Sequence, residues 1–120
     1  MLVFRATLRA TAFAFALGLT GCHSAFIDTT VSNRSAAPVT LIQVDYPSAS
    51  FGTQTLAPSQ DFHYRFKVLG SGPVKLTYTD TSGHEHKATG PALNESSDGP
   101  LQIVIAPDAV HFLPETFPSK

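Results

Sequence analysis

The chain has 120 residues, with eight Lys and Arg against nine Asp and Glu and a formal net charge of −1. A chain this close to neutral has no excess of basic side chains that would favour nucleic acid or an anionic membrane surface. Its single cysteine excludes an internal disulfide, and the length suits one domain with a modest hydrophobic core.

The first 21 residues have the three parts of a secretory signal. Residues 1–9 are basic, residues 10–19 are apolar and uncharged, and two small residues precede Cys22. The apolar stretch is about half of the roughly 20 residues that a membrane-spanning helix needs. We therefore predict a cleaved signal peptide over residues 1–21. The alternatives are a signal with an incidental cysteine after it and a short buried helix.

Leu19-Thr20-Gly21-Cys22 resembles the lipobox of bacterial lipoproteins, in which an apolar residue and two small residues precede the cysteine. The resemblance implies cleavage before Cys22, a diacylglyceryl group on its sulfur and acylation of the new amine, so that lipid anchors the protein in a membrane. His23 follows the cysteine, where aspartate is the familiar inner-membrane retention signal of Gram-negative lipoproteins. The resemblance therefore implies the outer membrane, facing the periplasm.

The predicted mature chain begins at Cys22 and is more acidic than the whole. It loses Arg5 and Arg9 with the leader, so six Lys and Arg remain against nine Asp and Glu and the formal net charge is −3. We assign residues 22–25 to a short tether, 26–107 to a domain and 108–120 to a C-terminal tail. Because an extended chain spans at most about 3.3–3.6 Å per residue, the tether reaches roughly 14 Å and holds the domain close to the membrane.

Short segments of alternating polarity fill the predicted domain. In residues 61–69, apolar side chains fall at every second position, namely Phe62, Tyr64, Phe66 and Val68. Such alternation predicts a strand with one buried face and one face in water. Residues 74–79 repeat the pattern after a glycine-rich break, and this short connection predicts that the two strands form an antiparallel pair.

Five further strands are predicted, over residues 26–32, 39–46, 50–56, 84–89 and 101–106. The segment 39–46 is apolar enough to be central, and 84–89 is expected at an edge after a turn over 80–83. About seven short strands with regularly spaced turns predict an all-β fold, an antiparallel sandwich of the immunoglobulin-like or fibronectin-like kind. A small barrel is the alternative.

His84-Glu85-His86 is the candidate for metal binding. Residues two apart on a strand point to the same face, so His84 and His86 could together chelate Cu²⁺ or Zn²⁺. A zinc site needs three or four ligands, and His63 or Asp80 could supply another. The competing interpretation is a polar edge strand with exposed histidines. No other cofactor is expected.

Tyr46 and Phe51 flank a run of small residues where a turn is expected. The two rings could be presented to a partner, because exposed aromatic side chains suit recognition, or they could close the end of the core. In the tail, the apolar residues Phe112, Leu113 and Phe117 either pack across the sheet or dock on a partner. Packing is the expected outcome for both segments.

The motifs of catalysis are missing from the sequence. No serine lies in a Gly-x-Ser-x-Gly motif, and residues 70–72 lack the lysine and helix of a phosphate-binding loop. Asn33-Arg34-Ser35 and Asn94-Glu95-Ser96 match a glycosylation sequon, a chance match in a bacterial lipoprotein. We therefore expect a non-catalytic, membrane-anchored lipoprotein that is a binding or accessory module of the cell envelope, with envelope proteins as partners. The alternatives are a periplasmic metal-binding protein that uses His84 and His86, and a small hydrolase.

Overall fold

The computed structural model describes residues 26–117, which form an all-β protein. The strands are β1 (Phe26–Asn33), β2 (Val39–Tyr46), β3 (Ala49–Leu56), β4 (Asp61–Lys67), β5 (Gly72–Thr79), β6 (Glu85–Leu93), β7 (Gly99–Ile105) and β8 (Val110–Leu113). They form two four-stranded sheets, in the orders β4-β1-β7-β8 and β3-β2-β5-β6. The predicted β-sandwich is confirmed. The predicted signal peptide and Cys22 lie outside the described residues.

Alternating polarity builds the inner face of each sheet. In β7, Leu101, Ile103 and Ile105 are buried, and in β5 the same is true of Val74 and Leu76. Side chains from both inner faces pack into a single hydrophobic core. Each fully buried aliphatic or aromatic side chain contributes about 1.5–3 kcal/mol, so this core is the main stabilising element of a domain without a disulfide.

A bulge in β2 changes which residues face the core. The register between β2 and β5 shifts between Thr40 and Gln43, and Leu41 takes a positive φ of 51°. As a result, Val39 and Ile42 are both buried while Leu41 is exposed. Strict alternation predicts Leu41 on the same face as Val39, but the extra residue of a bulge reverses the alternation beyond it.

The predicted pairing of residues 61–69 with 74–79 is wrong. β4 pairs antiparallel with β1, whereas β5 pairs with β2 and β6 in the opposite sheet. The connection at residues 68–71 crosses from one sheet to the other, and Gly70 adopts a φ of 78° there. Both strands have one apolar face, so they share the core equally well from opposite sheets. A short connection alone does not distinguish these two arrangements.

The strand order also differs from that of an immunoglobulin domain, in which the first strand pairs with the second. Here β1 lies between β4 and β7, and it runs parallel to β7.

The described residues contain eight strands instead of about seven, because Val110–Leu113, within the segment assigned to the tail, forms β8 against β7. Phe112 is buried and Phe117 packs against the core, as expected of a packing tail, whereas Leu113 is 51% exposed and does not pack as expected. The central position of β2 and the edge position of β6 match the expectations.

The sandwich has two ends, which we call the near end and the far end. The near end is where β1 begins at Phe26, and it includes the loops 47–48, 68–71 and 94–98. The far end is where β1 finishes, and its loops are 34–38, 57–60, 80–84 and 106–109. A strand rises about 3.3 Å per residue, so eight-residue β1 separates the two ends by roughly 25 Å.

Candidate functional site

The turn between β5 and β6, at the far end, is built around Asp80. Asp80 Oδ1 accepts hydrogen bonds from the backbone N–H groups of Ser82 at 2.9 Å and His84 at 3.0 Å. Gly83 donates its backbone N–H to the Asp80 carbonyl at 3.1 Å, and its φ of 83° is one that glycine adopts without a steric penalty. The turn predicted over residues 80–83 is present and fixes the position of the carboxylate.

Both histidines of the candidate metal site lie beside this carboxylate. His86 Nε2 donates a hydrogen bond to Asp80 Oδ2 at 2.7 Å. The His86 ring stacks on the Tyr78 ring across the strand pair, with centroids 4.9 Å apart and planes 13° from parallel. His84 immediately precedes β6, and its Nδ1 lies 4.0 Å from Asp80 Oδ1. The structure therefore brings Asp80 next to the two histidines.

A metal ion would have to compete with the hydrogen bonds that Asp80 makes. Oδ1 accepts two backbone N–H groups and Oδ2 accepts His86. His63 lies in the other sheet on β4, where its Nδ1 is 3.0 Å from Thr30 Oγ1. Across residues 26–117, no group of three His, Cys, Asp or Glu side chains is arranged to hold a metal ion. Metal binding by His84 and His86 stays a prediction.

An open cleft of about 270 Å³ lies beside the pair formed by Asp80 and His86. The loop after β1, the β5–β6 turn and the loop after β7 line it. Its lining residues are Ser35, Ala36, Ala37, Pro38, Val39, Tyr78, Asp80, Thr81, His86, Ile105, Ala106 and Pro107. Its wall combines apolar side chains with polar groups that can fix the orientation of a bound molecule. We call it the far-end cleft.

Asp80 is the negative centre of the far-end cleft. A hydrogen bond from His86, and then one from the backbone N–H of His84, hold the pKa of Asp80 below its ordinary value. Burial, followed by the charge of Asp80, raises the pKa of Tyr78. At neutral pH the cleft therefore offers a carboxylate and a protonated phenol side by side, which can accept and donate hydrogen bonds respectively.

The far-end cleft contains aspartate, histidine and serine, the residue types of a hydrolytic triad. The hydroxyl of Ser35, however, donates to Asn33 Oδ1 at 2.6 Å and lies 2.9 Å from the Ala37 carbonyl. These contacts hold Ser35 in the turn that follows β1. An activated serine is instead hydrogen-bonded to its general base, and the described partners of the Ser35 hydroxyl are Asn33 Oδ1 and the Ala37 carbonyl.

The structure buries the two aromatic residues that were candidates for partner binding. Tyr46 is 5% exposed and Phe51 is 7% exposed. Tyr46 donates its hydroxyl to the Gly70 carbonyl at 2.7 Å, and Phe51 stacks on Tyr64 with centroids 4.3 Å apart. Both rings therefore help to close the core. A second cleft, of about 280 Å³, is lined at the near end by Asp45, Tyr46, Pro47, Pro73 and Lys75.

Sequence reasoning found Asp80, His84 and His86 but missed the rest of the far-end cleft. The loops after β1 and β7 are more than 60 residues apart in the sequence, and their prolines marked them only as connections. They meet because β1 and β7 are parallel neighbours, with Asn33 opposite Ile105. Parallel pairing over this distance leaves no local signal in the sequence.

Comparison with known proteins defines the class of fold and nothing narrower. No protein family matches the chain, and no curated protein is similar to it. An NMR structure of a protein from Eubacterium rectale is similar at 18% identity, with a TM-score of 0.53, over 78% of this chain and 89% of that chain. This likeness supports the two-sheet fold. In residues 26–117 no helix is long and apolar enough to cross a membrane.

Proposed function

We propose that the protein is a membrane-anchored, non-catalytic lipoprotein that serves as a binding or accessory module of the cell envelope and presents its far-end cleft to a partner. The observation that carries the proposal is the position of this cleft relative to Phe26. The cleft lies at the far end, roughly 25 Å from the start of β1. A lipid on Cys22, only four residues before Phe26, would hold the near end at the membrane and leave the far end free.

The chemistry of the cleft supports recognition. Its carboxylate is fixed by the turn and by His86, so little side-chain freedom is lost when a partner donates a hydrogen bond to the remaining lone pair of Oδ2. The stacked Tyr78 and His86 rings offer a rigid aromatic surface next to that carboxylate. The anchor places this surface on the periplasmic side of an outer membrane, which is the location that His23 favours over the inner membrane.

Site-specific crosslinking in intact membranes tests this proposal. A photo-reactive side chain at Thr81, which lines the far-end cleft, is compared with one at Ser71, an exposed position in the near-end loop. We expect specific adducts from position 81 but not from 71, and their loss when Cys22→Ser removes the lipid site. Mass spectrometry of the wild type is expected to show the diacylglyceryl group. A soluble, unmodified wild type would contradict the proposal.

A metal-binding function is the second candidate, because the imidazoles of His84 and His86 lie 4.0 and 2.7 Å from the Asp80 carboxylate oxygens, although among residues 26–117 these side chains are not arranged as a metal site. Titration with Zn²⁺ and Cu²⁺ separates it from the first. The wild type is compared by calorimetry with a variant carrying His84→Ala and His86→Ala. The binding-module proposal expects no difference between them. Stoichiometric binding that disappears in the double variant would replace it with the metal-binding function.

A further inference from the structure

The edges of the two described sheets differ in composition. These edges are β4 and β8 in one sheet and β3 and β6 in the other. Natural proteins protect sheet edges with charges, prolines or short strands. Three of the four edge strands have such protection. β4 carries the charged residues Asp61, Arg65 and Lys67, and β6 carries Glu85, Lys87 and Pro91. β8 is only four residues long and is followed by Pro114. β3 is eight residues long and has none of these devices.

The outer edge of β3 is suited to pairing with another strand. Within residues 26–117 its partner is β2 on one side, and no described strand pairs with the other side. Its sequence, Ala-Ser-Phe-Gly-Thr-Gln-Thr-Leu, offers small, polar and β-branched side chains without charge. Threonine and phenylalanine are favoured in strands. The main-chain N–H and C=O groups of an unprotected edge accept an extended peptide through strand addition.

An aromatic surface lies beside this edge. Tyr64 projects from β4 in the opposite sheet and stacks on Phe51 of β3 with centroids 4.3 Å apart, and Phe62 lies 6.5 Å from the same ring. Tyr64 is nevertheless 45% exposed. A strand added to β3 would extend that sheet across Tyr64, so apolar side chains on its inner face would bury the exposed part of the ring.

We propose that the outer edge of β3 binds an extended segment of an envelope protein, which adds to the sheet as a strand and packs apolar side chains against Tyr64. The proposal rests on the membrane-anchored function. A second copy of the chain fits this edge less well, because two identical edges related by a two-fold axis pair antiparallel. The Phe26 ends of the two copies would then point in opposite directions. The tether of residues 22–25, however, would hold each Phe26 within roughly 14 Å of the same membrane.

Hydrogen exchange of the full chain, purified in detergent, tests the docking site. The probe is the capped peptide Thr-Val-Thr-Phe-Thr-Val-Thr, which has one apolar face as a strand. Its control replaces the central phenylalanine with proline, which cannot donate to a strand ladder. We expect the first peptide to slow exchange in residues 49–56 and to leave residues 85–93 unchanged. The control peptide is expected to protect neither segment.

Matched substitutions place the binding on the edge itself. Gln54→Lys introduces a charge on β3, and Thr89→Lys introduces the same charge on β6, both at exposed positions. We expect Gln54→Lys to raise the peptide Kd by about two- to fivefold, the effect of one cross-strand pair, and Thr89→Lys to leave it unchanged. Tyr64→Ser is expected to raise the Kd by about two- to tenfold through loss of an aromatic contact. Hydrogen exchange in β1 and β7 that is as slow as in the wild type verifies that each variant is folded.

Protection at β6 or β8, or no protection at all, would overturn the inference. So would protection of residues 49–56 that depends on protein concentration without peptide, because the occupant would then be a second copy. These outcomes are separate from the failure of the proposed function. A chain found without lipid would defeat the membrane-anchored function, whereas the peptide results at β3 would still decide whether this edge accepts a strand.

Discussion

The same local motif at opposite ends of the sandwich has two different structural roles. Asn33 and Asn94 each accept, through Oδ1, the backbone N–H and the hydroxyl of the serine two residues later. The distances are 3.0 and 2.6 Å to Ser35, and 2.9 and 2.5 Å to Ser96. The local turns are therefore nearly identical, as their Asn-x-Ser sequences imply. Only their surroundings differ.

Burial distinguishes the far-end asparagine from its near-end counterpart. Asn33 is fully buried, and its Nδ2 donates to the carbonyls of Ala37 and Leu56, both at 2.9 Å. It thus joins the loop after β1 to the end of β3. Asn94 is only half-buried. At the near end a core tyrosine has this linking role, because the Tyr46 hydroxyl reaches the Gly70 carbonyl between β4 and β5. The comparison shows that tertiary contacts turn a common turn motif into a structural link.

The largest expected effect is that of Asn33→Ala. It removes the side-chain donor to the buried Leu56 carbonyl and one of the two side-chain donors to the Ala37 carbonyl, so we expect the free energy of unfolding to fall by about 2–4 kcal/mol. Asn94→Ala is the matched control, because it removes the same local turn contacts from a half-buried site, and its expected cost is about 0.5–1.5 kcal/mol. Urea denaturation measures both. Equal losses would show that burial adds nothing to the turn.

Tyr46→Phe tests the near-end link and is expected to have a smaller effect. The substitution keeps the buried ring but removes the hydroxyl that binds the Gly70 carbonyl. We expect the free energy of unfolding to fall by about 0.5–1.5 kcal/mol, the usual net contribution of a hydrogen bond. Tyr64→Phe is the control, because it removes the same hydroxyl from a ring that is 45% exposed instead of buried. Thermal denaturation that gave equal shifts for both variants would argue against the near-end link.

The smallest expected effect is a difference in acid sensitivity at the far end. The hydrogen bonds from His86 and from the backbone of His84 lower the pKa of Asp80 in the folded protein. Its contribution to stability is therefore complete above the ordinary pKa and is lost as the pH falls through the lower, folded-state pKa. As the pH falls below about 4, we expect the free energy of unfolding to decrease more in the wild type than in Asp80→Asn. Parallel curves of unfolding free energy against pH for the two proteins would show that Asp80 contributes nothing to the acid sensitivity.

The predicted elements were more accurate than their arrangement. The pattern of residues 39–46 predicted β2 with the same bounds, and the alternation in residues 61–69 predicted β4. Even so, Tyr64 is 45% exposed, because β4 is an edge strand and the Tyr64 ring lies at the border of the sandwich. The part of the candidate site built by a single hairpin, from Asp80 to His86, was also found. The part built by the loops after β1 and β7 depends on which strands are neighbours, and periodicity does not contain that information.

The sequence by itself determined the all-β class, most strand positions, the turn at Asp80 and the resemblance around Cys22 that motivates a membrane anchor. These features depend on neighbouring residues: the two-residue period of strands, the backbone freedom of glycine and the order of residues in a lipobox. Only the tertiary structure decided that β4 and β5 lie in opposite sheets, that Asn33 is a buried link and Asn94 is not, and that β3 has an unprotected edge. Each of these depends on contacts between distant segments, where several arrangements bury the same apolar faces.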